Sequence, residues 1–534
     1  MSDQLSQGSM PMKILVIGDF SGSNVENVLH TPISRDNFQN VMSEVSPRLL
    51  IRVANKLLSG QKDMNLDLSF TDMSSFHPDC IAEQISPVKE TIEVRKILND
   101  LLERKLSVAD LKSCKEKFEK TGMTEAISML DTVDQAESIN KCIDKLDRAL
   151  SEQFDEIMHH PRFQQLESSW RGLMLLIDKS DFPGRVYFEI LNVSRSAMLD
   201  EFEKRIFQNE YDDASEIPLS LILCDFEFTQ QIDDLNIIQR MADRASIIQA
   251  AFVASLAPEF FGMRNIIHLI ALPNLLKQLS GQALNVWANF LQSQQARWVS
   301  LTMNRFLLRD IYGSDQKQAE SFKYTEKADP SHPEYYLLGH PIWLMGHNIA
   351  RSFANNGNCL SISGLGLGGE YAGIPVREYP VSMTEKVKMP LEITLAEDKV
   401  WNFINAGITP LNAESNSNIA YFPLSANAYR LQGVTLHSTL SYHLYIGHIF
   451  HQYYRLHQQI PAGSSQEEIA SFVQSRIYEL IAPFGGNNPD ETVEVDVSPS
   501  NEGNNLYIVG THVKPKFQIE SKDVEFTLQL QTQV

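Results

Sequence analysis

The sequence predicts a mixed α/β (α+β) protein ending in antiparallel strands. Three observations carry this prediction. Met12–Asp19 (MKILVIGD) reads as a buried strand running into a turn, strand-like and helix-like patterns alternate from residue 184 onward, and the last forty or so residues alternate with a period of two.

The elements follow in chain order. The run at Met12 closes at Asp19 and Gly22. Arg48–Leu58 (RLLIRVANKLL) fits strand or helix, and Leu66–Phe70 (LDLSF) fits a strand. From Val88 to about Leu106 the pattern is helical, with Val94, Ile97, Leu98, Leu101 and Leu102 on one face. Residues 107–160 read as a polar helical connector in which Leu146, Leu150, Phe154 and Ile157 recur at helical spacing until Pro161. Arg185–Val193 and Leu219–Asp225 are predicted strands, and Ile232–Leu256 is predicted mainly helical. Trp298–Leu308 carries mixed signals, while Asn358–Ser363 (NCLSIS) reads as a strand before a glycine cluster. Thr435–His457 and Gln466–Leu480 are predicted helices.

At the C-terminus, Val493, Val495 and Val497 alternate with Thr492, Glu494 and Asp496. Val524, Phe526, Leu528 and Leu530 alternate with Glu525, Thr527, Gln529 and Gln531. Each pattern gives a strand with one buried and one wet face. A last strand leaves an edge of unpaired N–H and C=O groups that soluble proteins normally blunt. It is therefore either paired within its own sheet or donated to another copy.

Composition narrows the function. The 534 residues are 43% hydrophobic and 21% charged, enough apolar material for several cores and too little charge for default disorder. A net charge of −21, from 67 acidic against 46 basic side chains, disfavours nucleic acid and anionic membranes. Five scattered cysteines without a CxxC read as reduced thiols. The N-terminal residues lack the basic start and long apolar stretch of a signal peptide. The best apolar segment, Ser246–Ala257, is broken by Gln249 and too short to span a bilayer. A soluble cytoplasmic protein is expected.

The chemical motifs dissolve on inspection. Gly364, Gly366 and Gly369 satisfy GxGxxG, but Gly373 and Pro375 forbid the helix that a pyrophosphate needs, so a nucleotide-binding enzyme is the weakest reading. No GxxxxGK[ST] occurs. Gly18-Asp19-Phe20-Ser21-Gly22 is not a nucleophile elbow, and Asp19 and Ser21 read as turn-formers. His437, His443, His448, His451 and His457 are expected along one helix without a nearby Asp, Glu or Cys, which argues for packing rather than metal. No cofactor, metal or catalytic residue is expected.

Residues 144–176 resemble the signature stretch of the large (TssC/VipB-like) sheath subunit of type VI secretion systems. The matching residues are His160-Pro161, Phe163, Leu166-Glu167 and Trp170-Arg171-Gly172-Leu173. The likeness continues through Val186–Val193, Asp225–Phe228, Asn304–Arg309, Gly364–Gly369 and Lys514–Gln518. The first hundred residues resemble the small (TssB/VipA-like) subunit, in Ile17–Gly22, Leu68-Ser69-Phe70 and Phe76-His77-Pro78-Asp79.

The resemblance implies a small-subunit-like domain (1–106), the helical connector (107–160) and a large-subunit-like domain (161–534) whose strand-exchange segment is about 490–534. It implies a structural protomer that polymerises helically with itself around an inner tube of Hcp-like hexamers and contracts. Baseplate proteins and a ClpV-like unfoldase are the other implied partners. A non-contracting baseplate or cap component is the alternative. Val524, Phe526, Leu528 and Leu530 are the implied inter-protomer strand, and removing residues 520–534 is expected to spare folding but abolish tubules. Gln466–Leu480 is similar to the family's tube-facing helix, with Gln466, Glu467, Glu468, Gln474 and Arg476 as its candidate contacts. Two departures stand out: only about eleven residues precede Met12, and the large subunit's free N-terminal arm corresponds to the internal connector.

Overall fold

The structure is a computed structural model describing residues 10–533 except 24–26, 58–61, 107–114, 124–134, 181, 213–214, 272–281, 314–317, 381, 383–384, 482–491 and 501–505. Much of the expected connector, Cys114 and parts of the 490–534 segment lie outside the described residues.

Its centre is a seven-stranded sheet. The order is Ile408–Pro410, β8 (Val299–Met303), β7 (Ala251–Leu256), β6 (Leu219–Phe228), β1 (Met12–Gly18), β5 (Val186–Asn192) and β2 (Leu29–Ile33). All neighbours are parallel except β2, which runs antiparallel to β5. Every residue of β1 is buried, which is why it reads as a continuous apolar run. It pairs with β5 from Met12↔Val186 to Gly18↔Asn192, and with β6 from Lys13↔Leu219 to Ile17↔Cys224. The N-terminal hundred residues thus supply a central strand, β1, and the edge strand β2 to a sheet otherwise built by the rest of the chain.

β3 (Arg48–Ala54) and β4 (Asp63–Ser69) form a hairpin whose inner face, Leu49, Ile51, Val53, Leu66 and Leu68, joins the same core as Phe163, Trp170 and Trp343. Of the stretch that fitted strand or helix, Arg48–Ala54 is a strand, and Leu58 lies outside the described residues. The helix Ser86–Leu102 packs on the connector helix Gln135–Met158 through Val94, Leu98, Ile139 and Leu146, beside an Arg95–Asp147 ion pair.

Three expectations need correction. Ile232–Leu256 divides into a helix, Ile232–Ile248, and strand β7, with Gln249 in the left-handed region at φ 55° between them. A fully buried strand lacks the two-residue alternation that would separate it from a buried helix. Asn358–Ser363 is not a strand. The Ser352 hydroxyl donates to the Asn358 carbonyl (2.9 Å) and accepts from the Ser361 amide (3.1 Å), while Asn358 Oδ1 takes the Leu360 amide (3.1 Å). Local side chains occupy the groups a ladder would use. Finally, the helix near Thr435 begins at Leu440, because Thr435 and Ser438 cap a separate short turn, Leu436–Ser438. His437 is therefore off the helix.

Among the described residues no helix is long and apolar enough to cross a membrane, and no group of three His, Cys, Asp or Glu side chains could hold a metal.

Candidate assembly site

The C-terminal residues build a unit with its own core. The strand Leu506–Val513 lies between Val493–Pro499 and Phe526–Gln533, all antiparallel. Its inner face packs on two helices, Leu440–Leu456 and Gln466–Ile481, through Val493, Val509, Phe526, Tyr445, Tyr453, Ile469 and Val473. The Tyr453 hydroxyl donates to the Val509 carbonyl at 3.0 Å, and the Tyr442 hydroxyl to that of Glu525 at 3.2 Å.

The four residues expected in strand exchange are therefore anchored at home. Val524, Phe526 and Leu528 are buried and Leu530 is partly buried against this chain's own helices. Phe526–Gln533 pairs with Leu506–Val513 from end to end. What remains open is backbone: among the described residues, the outer edges of Phe526–Gln533 and Val493–Pro499 carry no strand. Removing residues 520–534 would strip three buried apolar side chains from the core, so that truncation is not expected to spare folding.

A hairpin tip fastens this unit to the body. Glu520 and Ser521, between Gln518–Ile519 and Lys522–Asp523, both lie in the left-handed region, at φ 47° and 63°. One Glu520 oxygen accepts from the hydroxyls of Ser425 (2.7 Å), Ser363 (2.9 Å) and Ser441 (3.5 Å). Its other oxygen is buried without a hydrogen-bond partner. Burial pushes the Glu520 carboxyl above the ordinary range, against the pull of the serines. Strained backbone of this kind persists where surrounding contacts fix it.

The helix Gln466–Ile481 buries Ile469, Val473, Ile477 and Ile481 at four-residue spacing. Gln466, Glu467, Glu468 and Arg476 are exposed on it. Gln474 is half-buried and donates to the Val493 carbonyl at 2.8 Å, so it ties the helix to the sheet rather than facing outward.

The sequence strings quoted above hold the body together. Trp170 is fully buried and its indole N–H donates to the Phe20 carbonyl at 2.9 Å. Phe163 packs edge-on against Phe70 and Phe76, each at 6.0 Å. A side chain at Gly172 would meet the Trp343 indole at 2.2 Å. Glu167, wholly buried, pairs with Arg171 at 2.7 Å and Arg309 at 3.3 Å, and Arg309 grips Glu326 with two nitrogens at 2.7 and 2.8 Å. Burial opposes ionisation of Glu326, but Arg309 outweighs it and draws that carboxyl down to about 2.

A second network lies at the end of β6. Asp225 accepts from Ser169 at 2.5 Å and from His340 Nδ1 at 2.7 Å; Glu227 lies 3.4 Å from His340 Nε2, and Arg305 pairs with Glu392 at 2.7 Å. Burial pulls His340 down, yet Asp225 and Glu227 win and raise it to about 10. Sequence reasoning missed His340, Glu326, Glu392 and Glu520, whose partners lie far along the chain and leave no local pattern.

The glycine cluster turns inward on itself. The amides of Gly366 and Gly368 both donate to Glu370 Oε2 at 3.1 Å. The nest of amides that a phosphate would need is filled by the chain's own carboxylate. Asp19 Oδ1 accepts from the amides of Ser21 (3.1 Å) and Gly22 (3.0 Å), as a turn-former does. His451 donates to the Ile248 carbonyl at 2.9 Å, and burial holds His443 and His448 neutral, each lowered to about 3.

Family comparisons decide the affiliation of these elements. The family described as "EvpB/VC_A0108, tail sheath N-terminal domain" matches residues 140–429, more than half of the chain. The family described as "Type VI secretion system, VipA, VC_A0107 or Hcp2" matches residues 1–125. The chain belongs to the type VI secretion sheath family. This sheath chain joins a TssB-like and a TssC-like part in one polypeptide.

It is 29% identical over 303 residues to the type VI secretion system sheath protein TssC1 of Pseudomonas aeruginosa, which covers 54% of the chain and 61% of that relative. It is 27% identical over 99 residues to the sheath protein TssB1 of the same organism, 17% of the chain and 57% of that relative. The sheath chain thus matches less than two thirds of the length of each. The sheath tail protein of Desulfitobacterium hafniense aligns over 62% of this chain and 60% of its own at 8% identity, with a TM-score of 0.33, a remote likeness that adds no weight.

Proposed function

We propose that this chain is the protomer of a contractile sheath, a small and a large subunit made as one molecule. The observation that carries the reading is the place of β1, between β5 and β6. The region matched to the small-subunit family enters the middle of the sheet formed by the region matched to the large one. Fusion fixes the stoichiometry at one to one and replaces a diffusional encounter by a tethered one.

Work without bond-making chemistry requires two packings that differ in free energy. In this reading the body, held by its buried ion pairs, moves as a rigid block. The open edges of Val493–Pro499 and Phe526–Gln533 accept strands from neighbouring copies in the cytoplasm and keep them joined during contraction. The exposed Gln466, Glu467, Glu468 and Arg476 form the candidate surface toward an Hcp-like inner tube. Baseplate proteins and a ClpV-like unfoldase are the further proposed partners, and the boundaries 1–106, 107–160 and 161–534 are the proposed domain division.

Negative-stain microscopy of the purified full chain tests this. Long tubules are expected; discrete complexes alone would move the chain to a baseplate or cap role.

A further inference from the structure

The loop Gly364–Gly369 is fixed in place at both ends. The Gly364 amide donates to the Phe422 carbonyl at 2.8 Å, and the Phe422 amide donates to that of Gly369 at 3.0 Å. Arg351 Nη2 donates to the carbonyls of Gly368 (2.7 Å) and Glu370 (3.2 Å), and Glu370 Oε2 holds the amides of Gly366 and Gly368. Gly364, Gly366 and Gly368 lie in the left-handed region at φ 83°, 74° and 102°, and a side chain at Gly368 would meet the Ser361 carbonyl at 2.5 Å. Glycine gives a chain freedom to move. Here the hydrogen bonds have removed it.

What this fixed loop displays is apolar. Leu365 is 45% exposed and Leu367 71%, the highest value among the large apolar side chains of the described residues. Single exposed leucines are ordinary on a surface. Two on one fixed loop form an apolar surface that needs no ordering before it docks.

Charge says what can approach it. From Ser352 to Gly369 no residue is charged, and the flanking charges, Arg351 and Glu370, are both bonded to the loop. Two copies of a chain with a net charge of −21 repel each other, so they meet most readily where neither presents charge. The loop is also continuous with the candidate assembly site. The Ser363 hydroxyl, one residue before it, donates to Glu520, and Leu360 packs into the C-terminal core.

We propose that Leu365 and Leu367 form an apolar contact with a neighbouring copy of this chain in the assembled tubule, a second tie besides the strand edges. The proposal rests on the sheath reading above.

Sedimentation of the full chain across a concentration series tests it, with the double variant Leu365→Ser/Leu367→Ser beside the parent. Neither leucine lies in the left-handed region, so serine strains no backbone, and the dispersed variant should melt with the parent. The concentration needed for tubules is expected to rise by roughly tenfold or more. Parent and variant assembling at the same concentration overturns the contact and leaves the sheath reading standing. A parent that forms no tubules at any concentration overturns both. Should the variant melt below the parent, Leu367→p-benzoyl-Phe decides. Irradiated tubules formed with an Hcp-like inner tube should give a crosslinked species of two chains that the dispersed protein does not give. Crosslinks confined to one chain, or made to the inner-tube protein instead, overturn the proposal.

Discussion

The indole N–H of Trp170 donates to the carbonyl of Phe20 at 2.9 Å, joining residues 150 positions apart in sequence. Phe20 also packs edge-on against the same indole at 5.3 Å between ring centres. One partner sits in the Gly-Asp-Phe-Ser-Gly turn of the small-subunit-like region and the other in the Trp-Arg-Gly-Leu string of the large one. The two quoted strings are thus the two halves of one joint.

If that joint and the central position of β1 hold the regions together, the covalent connector is dispensable after folding. A protease site placed between residues 107 and 114 and then cut should give two fragments that co-elute on size exclusion. Fragments that separate under native conditions would contradict the shared sheet.

Gly172, two residues beyond Trp170, is packed tightly against the helix Ile342–Asn356. A methyl there meets the Trp343 indole at 2.2 Å. Gly172→Ala should cost roughly 1–3 kcal/mol of stability, or more if neither backbone can shift. Urea midpoints check this.

The network at the end of β6 gives a pH signature. His340 is raised in the fold to about 10, so its contribution is full below its ordinary value of about 6.5 and is lost as pH rises through about 10. His340→Gln leaves Asp225 and Glu227 without this partner. It should lower stability at neutral pH by roughly 3–5 kcal/mol and flatten the decline above about pH 6.5. Thermal melts of both proteins across pH 6–10 read out the difference.

Glu520 gives a second pH signature of the same sign, but here the charged form is the unfavourable one. Its carboxyl is raised in the fold, so stability is greatest when it is protonated and falls as pH rises through its folded value. Glu520→Gln keeps an acceptor for the three serines without the buried charge. The variant should melt no lower than the parent at pH 7, with the difference shrinking toward acid pH. A large loss at pH 7 would show that the charge itself fastens the hairpin.

Much of this was legible in the sequence where burial writes a period. The C-terminal alternation at Val493–Val497 and Phe526–Leu530 is the observed pleat, and the run from Met12 to Gly18 is a strand buried on both faces. The neighbours of β1 were not legible, because pairing Ile14 with Phe188 and Leu221 leaves no local trace. Ala251–Leu256 failed for a related reason: a strand apolar on both faces looks like a buried helix. For the candidate site, the inward set Val524, Phe526 and Leu528 could be read, but the same alternation fits a strand paired at home. Which edge stays open depends on the strand order, and the docking of Glu520 on Ser363, Ser425 and Ser441 depends on the tertiary fold.

Amide hydrogen exchange of Phe526–Gln533 and Val493–Pro499, compared between dispersed protein and assembled tubules, tests the account most directly. Assembly through these edges predicts that amides fast-exchanging in the dispersed chain become strongly protected in the tubule. Tubules that form while both strands keep their dispersed-state exchange rates would contradict it.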